Sequence, residues 1–270
     1  MIRTKLGLLI LLFLIKMTVM GQSKDSSLKI WNNNASSPVV LFLSGDGGFN
    51  NFSSSYCELL GKEGYTVGAI NSKSFFWDKK TSDQIAKELT KSLEQLLIGR
   101  KNQHVYFVGY SFGADVIPFL VNQLTADWKK RLQAIALIEP STSTDLEIHV
   151  SDLLGRSNIK RSMDVIAEIN KMIGVKTAIV LGEDEASFPV KTIRLANLQA
   201  IYLKGNHHFN GNAAEVVKAT VKHFHSNNYL GDLFTIGVRF QIIGLFLCRS
   251  NDHELYLFLK RASLISLVLI

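Results

Sequence analysis

The chain has 270 residues, 47% of them hydrophobic and 20% charged, and it is long enough to form one main domain around one sizeable core. The formal net charge at pH 7 is +7, but the basic residues are scattered along the chain and form no cluster. This mild, dispersed charge excludes a nucleic-acid partner.

The N-terminus has the pattern of a secretory signal peptide. Two basic residues precede an apolar run from Leu6 to Ile15, Lys16 interrupts the run, and Gly21 supplies a small residue before the cleavage point. We therefore expect residues 1–21 to be removed and the mature protein, beginning at Gln22, to be periplasmic or secreted. The alternative is an uncleaved membrane anchor, but the run falls well short of the about 20 apolar residues that cross a bilayer.

Between residues 22 and 225, short apolar runs alternate with longer amphipathic stretches. The predicted strands are Val39 to Leu43, Thr66 to Ile70, Val105 to Val108, Ala134 to Ile138, Thr177 to Leu181 and Ala200 to Leu203. Because these runs are continuously apolar, we expect each strand to be buried on both faces of a sheet. The predicted helices are Ser82 to Leu97, Ala114 to Leu124 and Asn212 to His225. The alternation predicts an α/β domain whose mostly parallel, doubly wound sheet carries helices on both faces.

Two features outside this pattern receive no function. Residues 226–270 form a strongly apolar extension that departs from the rhythm of the preceding domain, and we assign no role to it. The two cysteines, Cys57 and Cys248, favour buried free thiols over a disulfide that staples the fold. The oligomeric state stays open.

A candidate nucleophile follows the third predicted strand. The segment Gly109-Tyr110-Ser111-Phe112-Gly113 stands between that strand and the helix that begins at Ala114. In this strand–turn–helix context the G-x-S-x-G pattern is typical of the nucleophile elbow of α/β-hydrolases, where a sharp turn holds the serine in a strained conformation. The sequence thus predicts the α/β-hydrolase fold with Ser111 as nucleophile; the alternative is an ordinary serine in a tight turn.

A serine nucleophile needs a histidine base oriented by a carboxylate, in the chain order serine, acid, histidine. The acid candidates are Asp184 and Glu185, which follow a predicted strand, and the spacing to the flanking glycine and proline favours Glu185. The alternative is an acidic, solvated loop. The base candidates are His207 and His208, just past the last strand. The phenylalanine that follows favours His208, because a Phe commonly follows the catalytic histidine of this fold.

The loop after the first predicted strand, Ser44 to Gly48, is rich in glycine and allows close backbone approach. We expect the backbone N–H groups of Asp46 and Phe112 to form the oxyanion hole. The loop lacks the glycine spacing of nucleotide-binding motifs. The predicted chemistry requires no metal and no organic cofactor.

Together these residues resemble the bacterial virulence proteins of the VirJ and AcvB type, which are periplasmic α/β-hydrolases. The resemblance covers roughly Pro38 to Thr220. The matching segments are Ser44 to Gly48, Ser74 to Trp77, Gly109 to Asp115 with Pro118, Leu146 to Val150, and Gly205 to Phe209.

The resemblance implies hydrolysis of aminoacylated phosphatidylglycerol, notably lysyl-phosphatidylglycerol, on the outer face of the inner membrane. Three further residues then become candidates for substrate binding. Asp115 would pair with a cationic lysyl group, or else cap a helix or form an internal polar bond. Phe76 and Trp77 would line the pocket, or else pack against the sheet.

Two other functions fit the same fold. A generic carboxylesterase or thioesterase would use the same triad with a neutral pocket. A non-catalytic binding partner of a secretion or envelope complex would keep the fold alone. The set of serine, acid and histidine candidates favours a serine ester hydrolase over the second of these.

Overall fold

The computed structural model describes residues 28–101, 103–149, 161–184 and 187–226. The predicted signal peptide lies outside these ranges, and so does the apolar extension apart from Ser226. No helix in the described part of the chain is long and apolar enough to span a membrane.

A seven-stranded sheet forms the centre of the described residues. The strands of the chain are β1 (Leu28–Trp31), β2 (Val39–Leu43), β3 (Thr66–Ile70), β4 (Val105–Tyr110), β5 (Leu132–Ile138), β6 (Ser143–Thr144), β7 (Met163–Asp164), β8 (Thr177–Gly182) and β9 (Leu198–Leu203). The order across the sheet is β1-β3-β2-β4-β5-β8-β9. β1 pairs antiparallel with β3, and the other pairs are parallel. β6 and β7 form a separate two-stranded sheet. The six strands predicted from apolar runs are thus the six parallel strands.

Helices cover both faces of this sheet. They are α1 (Asn51–Lys62), α2 (Ser72–Phe75), α3 (Ser82–Leu97), α4 (Phe112–Gln123), α5 (Ala126–Arg131), α6 (Val165–Asn170) and α7 (Ala213–His225). Helices α1 and α7 pack together over one face, while α3, α4 and α6 pack over the other. The mostly parallel sheet with helices on both faces confirms the predicted fold class.

Strand β2 shows why a continuous apolar run suits this sheet. Its side chains alternate between two hydrophobic cores: Leu41 and its i±2 neighbours face the α3–α4 side, while Val40 and Phe42 face the α1–α7 side. All of them are fully buried, because successive residues of a strand point to opposite faces and each face is covered by helices.

The expectation of burial on both faces is wrong for the last strand. In β9 every residue is intermediate or exposed, and Tyr202 is 49% exposed. β9 stands at the end of the strand order of the described sheet, where helices cover less of the strand. Its apolar residues therefore predicted the strand correctly but not its environment.

The topology brings the predicted functional loops to one edge. β2, β4, β5, β8 and β9 run parallel, so the loops that leave their carboxyl ends lie side by side. In open α/β sheets this edge is where ligands bind.

Candidate active site

Ser111 occupies a strained turn between β4 and α4. Its backbone has φ 52° and ψ −120°, a left-handed conformation that costs energy for any residue with a side chain. The turn is held because the Ser111 N–H donates to the carbonyl of Ile138 at 2.8 Å, and the Ser111 carbonyl accepts from the first turn of α4. The Ser111 hydroxyl makes no capping bond to the helix, so it is available at the end of the strand.

The two glycines of the motif are required by close backbone approach. A Cβ atom on Gly113 would lie 2.2 Å from the carbonyl oxygen of Leu43, and one on Gly109 would lie 2.3 Å from the carbonyl oxygen of Gly113. Real Cβ atoms do not approach backbone this closely, so only glycine lets helix α4 pack directly against the ends of β2 and β4.

The structure brings His207 to the nucleophile. His207 Nε2 lies 3.0 Å from Ser111 Oγ, within hydrogen-bond distance. His208, which the sequence favoured, is exposed and its Nδ1 pairs with the Tyr110 hydroxyl. The geometry therefore favours His207 over His208 as the base.

Tyr110, the second residue of the motif, anchors the histidine loop. Its ring is almost fully buried, and its hydroxyl donates to the His207 carbonyl at 3.3 Å while also pairing with His208. Burial, with the nearby charges of Glu139 and Asp46, raises the pKa of Tyr110 well above its usual range, so the hydroxyl keeps its proton. The residue before the nucleophile thus positions the loop that carries the base.

A buried carboxylate that the sequence analysis missed faces the other side of His207. Glu139 Oε2 lies 3.4 Å from His207 Nδ1, and Glu139 Oε1 accepts from the Gly182 N–H. Glu139 is 6% exposed and adopts a positive φ of 53° directly after β5. A signal existed in the sequence, because Glu139 immediately follows a predicted strand and that edge of the sheet collects functional residues.

Of the two acids predicted from the sequence, the structure describes Asp184 but not Glu185. Asp184 is exposed, and its backbone N–H donates to the Gly205 carbonyl at 3.1 Å, which braces the loop that leads to His207. Glu185 lies outside the described residues, so its role as the triad acid stays a prediction.

The predicted oxyanion residues both line the cavity that contains Ser111. Phe112 is the first residue of α4, and the first N–H groups of a helix have no partner within the helix. Asp46 lies in the turn that follows β2, where its carboxylate accepts from the Gly47 N–H at 2.8 Å. The first N–H groups of α4 and the positive end of its dipole therefore lie beside Ser111, and Asp46 lines the same cavity.

The cavity has a volume of about 600 Å³ and an acidic lining. Four carboxylates line it, while Arg161 is a basic residue in the same wall; the acids are Asp46, Asp115, Asp145 and Glu147. Asp145 is already paired. Although its partial burial opposes ionisation, hydrogen bonds from Ser162 and His149 and the charge of Arg161 lower the pKa of Asp145 to about 2.

Asp115 combines cavity lining with an internal polar bond. It is 4% exposed, and Asp115 Oδ1 accepts from the Ser141 N–H at 2.6 Å. Burial raises the pKa of Asp115 to about 8; the hydrogen bonds from Ser141 oppose this shift, and the charge of Asp46 adds to it.

The predicted aromatic residues lie away from the cavity wall. Phe76 is fully buried, and its ring packs edge-on against that of Phe112 at 5.2 Å between centroids. Trp77 is 54% exposed. Neither is among the described residues that line the cavity, so Phe76 acts as packing beneath an oxyanion residue.

Two side findings concern metals and thiols. Within the described ranges, no group of three or more His, Cys, Asp or Glu residues is arranged to hold a metal ion. Cys57 is a buried free thiol, and burial raises its pKa far above the usual range. Cys248 lies outside the described residues.

Comparison by sequence identifies one family. Residues 37–228 match the family model described as "Bacterial virulence protein (VirJ)". None of the curated proteins matches the chain.

Comparison by structure finds hydrolases of low sequence identity. MenH from S. aureus is 14% identical with a TM-score of 0.55, and the match covers 73% of this chain and 97% of that one. Est1E from Butyrivibrio proteoclasticus is 13% identical with a TM-score of 0.53, covering 76% and 98%. A thioesterase domain from the curacin biosynthetic pathway is 14% identical with a TM-score of 0.52, covering 72% and 94%. At this identity the likeness establishes the α/β-hydrolase fold.

Proposed function

This chain belongs to the VirJ family of bacterial virulence proteins, and from that premise we propose that it is a serine hydrolase that cleaves an ester bond. The observation that carries the proposal is the 3.0 Å separation of His207 Nε2 and Ser111 Oγ at a strained elbow. A serine and a histidine in this relation form the nucleophile and base of acyl transfer.

The mechanism follows from the neighbours of these two groups. Ser111 Oγ attacks the ester carbonyl carbon while His207 Nε2 accepts the hydroxyl proton, and the N–H groups of Phe112 and Asp46 stabilise the oxyanion. The imidazolium then gives its proton to the leaving alcohol, and an acyl-serine forms. Water, deprotonated by the same imidazole, attacks the acyl-serine and releases the acid and free Ser111.

Carboxylates stabilise the imidazolium in this scheme. Glu139 is buried and 3.4 Å from His207 Nδ1, and Glu185 is the acid predicted from sequence. A negative charge beside Nδ1 lowers the energy of the protonated ring and holds its orientation.

The proposed substrate is an aminoacyl ester of phosphatidylglycerol, notably the lysyl ester. The resemblance to the VirJ and AcvB proteins supplies this substrate class, and the acidic cavity supports it, because carboxylates favour a cationic acyl group. The predicted signal peptide supports this substrate, because an exported enzyme would meet the lipid at the outer face of the membrane.

The test uses the mature protein beginning at Gln22 with purified lysyl-phosphatidylglycerol in mixed micelles. We expect free lysine to be released by the wild type, and we expect Ser111→Ala to lower turnover by about 10³-fold or more while its melting temperature stays unchanged. His207→Ala should show a loss of the same order, since the two groups act as a unit.

The other two functions give different results in the same assay. Cleavage of short neutral esters without release of lysine would indicate a generic carboxylesterase or thioesterase. If Ser111 does not react with a fluorophosphonate probe and no ester is cleaved, the protein is a binding partner and the hydrolase proposal fails.

A further inference from the structure

The cavity contains one buried acid, Asp115, that no basic group of the described residues partners. Among the described residues, no basic side chain forms an ion pair with Asp115, whereas Asp145 is paired with Arg161 and His149. A carboxylate that is 4% exposed, lines the cavity and has no cationic partner is suited to a cation brought by a ligand.

The Asp115 carboxylate has lone pairs that are free to accept hydrogen bonds from such a ligand. A carboxylate has two oxygens and about four lone pairs, and the backbone and side-chain hydrogen bonds from Ser141 occupy at most two of these positions. Because the free carboxyl group has a pKa of about 8, an arriving cation would favour its ionised form.

The position of Asp115 indicates which ammonium group of an aminoacyl ester it can bind. The Asp115 N–H donates to the Ser111 carbonyl at 3.2 Å, and both residues line the cavity, so Asp115 lies in the first turn of the helix that begins beside the nucleophile. In an α-aminoacyl ester the α-ammonium nitrogen lies about 2.5 Å from the carbonyl carbon that Ser111 attacks. The ε-ammonium of an extended lysyl group lies about 7 Å from that carbon. The α-ammonium therefore stays beside the attacked carbon and close to the first turn of α4, where Asp115 lies, whereas an extended lysyl chain carries the ε-ammonium away from it.

We propose that Asp115 binds the α-ammonium group of the acyl amino acid, so that the enzyme selects esters with a free α-amino group and tolerates different side chains. This inference rests on the proposed ester hydrolysis and restricts its substrates to aminoacyl esters whose free amino group is on the α-carbon, whatever the side chain. Asp115 thereby determines specificity, and it leaves bond cleavage to Ser111 and His207.

The experiment compares three esters of phosphatidylglycerol in the same micelles. Lysyl carries both ammonium groups, alanyl carries the α-ammonium alone, and 6-aminohexanoyl keeps the distal ammonium but lacks the α-ammonium. Each kcat/KM is divided by the rate of hydroxide-catalysed hydrolysis of the same ester, because an α-ammonium makes the carbonyl intrinsically more reactive. We expect the wild type to prefer lysyl over 6-aminohexanoyl by about 10- to 100-fold and to cleave alanyl within about fivefold of lysyl.

The variant Asp115→Asn keeps the shape of the side chain and an oxygen acceptor for the Ser141 N–H. We expect it to reduce the preference for lysyl over 6-aminohexanoyl by about tenfold or more. The matched control is Asp127→Asn, whose side chain is 85% exposed on α5 and should keep the wild-type preference. A purely structural role for Asp115 would lower the rates on all three esters by one factor and leave their ratio unchanged.

Each negative outcome has its own meaning. Equal normalised rates for lysyl and 6-aminohexanoyl in the wild type would overturn the inference while hydrolysis of aminoacyl esters stands, and this comparison holds even if the variant does not fold. Preference for lysyl over alanyl by 100-fold would overturn it as well, in favour of recognition of the distal ammonium. If neutral esters alone are cleaved, the proposed substrate class fails and the inference fails with it.

Discussion

Two carboxylates, Glu139 and Glu185, are candidates for the acid that supports the His207 imidazole. Glu139 is buried, accepts from the Gly182 N–H through Oε1 and has a positive φ, and its Oε2 lies 3.4 Å from His207 Nδ1. Residues in sparsely populated backbone conformations concentrate at functional sites, and both Ser111 and Glu139 have positive φ values. The chain order serine, acid, histidine admits Glu139 and Glu185 equally.

We predict that Glu139→Gln lowers kcat by about 10²-fold or more with a small change in KM. The glutamine keeps an oxygen for the Gly182 N–H, but it removes the negative charge that stabilises the imidazolium in the transition state. Steady-state kinetics on a soluble ester would measure both constants.

Two variants complete the comparison of acids. Asp184→Asn serves as a control and should stay within about threefold of the wild type, because the Asp184 side chain is exposed and its bracing bond uses the backbone. A loss of about 10³-fold in Glu185→Gln together with a loss below threefold in Glu139→Gln would assign the acid to Glu185 alone.

At the scale of secondary-structure elements, the continuous apolar runs of the sequence predicted the strands of the sheet. All six parallel strands and the helix Ser82–Leu97 were found, the helix to the residue, because its apolar face repeats at helical spacing and Thr81 and Gln84 form a capping box at its start. Helix α1 was not predicted. Its serine-rich sequence has low helix propensity, and burial of Tyr56 and Leu60 in the core stabilises it.

The candidate site was only partly predictable, for a different physical reason. Ser111 follows from a local motif, whose chemistry depends on a single turn. The choice between His207 and His208 depends on which ring the loop turns toward Ser111. Tyr110, which is distant from this loop in the sequence, bonds the His207 carbonyl and the His208 ring in the folded chain. Glu139 acts because β5 lies beside β4 in the sheet, and strand order is a property of the folded chain.

The close packing of α4 against the ends of β2 and β4 leads to a prediction about stability. We expect Gly113→Ala to lower the free energy of unfolding by about 3 kcal/mol or more, because the added Cβ would meet the Leu43 carbonyl at 2.2 Å and backbone cannot move aside cheaply. Urea denaturation followed by circular dichroism measures the change.

Gly47→Ala is the matched control for Gly113→Ala. Gly47 lies in the loop after β2, its φ is not positive, and an added Cβ would meet no atom within 4 Å. We expect a change within about 0.5 kcal/mol. Equal stability of both alanine variants would show that α4 does not need close contact with the ends of the strands.

At the scale of the whole molecule, charge is divided between surface and cavity. The full chain carries a formal charge of +7, of which Arg3, Lys5 and Lys16 belong to the predicted signal peptide, whereas the cavity wall holds four carboxylic acids and one arginine. In the proposed function, a net positive charge favours an anionic phosphatidylglycerol surface and an acidic cavity favours a cationic acyl group. An acidic cavity also lowers the stability of the fold, because it buries the acid Asp115 within the folded domain.

Burial of this acid makes the stability of the fold depend on pH through Asp115. Its pKa is about 8 in the folded protein, against 3.8 as the ordinary value, so between these values the folded state holds a proton that the unfolded state has lost. Folding is therefore favoured most below pH 4 by this group, and its contribution falls as pH rises toward 8.

We predict that Asp115→Asn removes this dependence. The stability of the variant relative to the wild type should rise by about 2–4 kcal/mol between pH 5 and pH 9, since one pKa unit corresponds to about 1.4 kcal/mol. Urea midpoints of both proteins across this range measure the difference, in which the other titrating groups cancel. A difference that stays constant with pH would mean that Asp115 is ionised in the folded protein across this range, as it is in the unfolded chain, and would contradict the raised pKa.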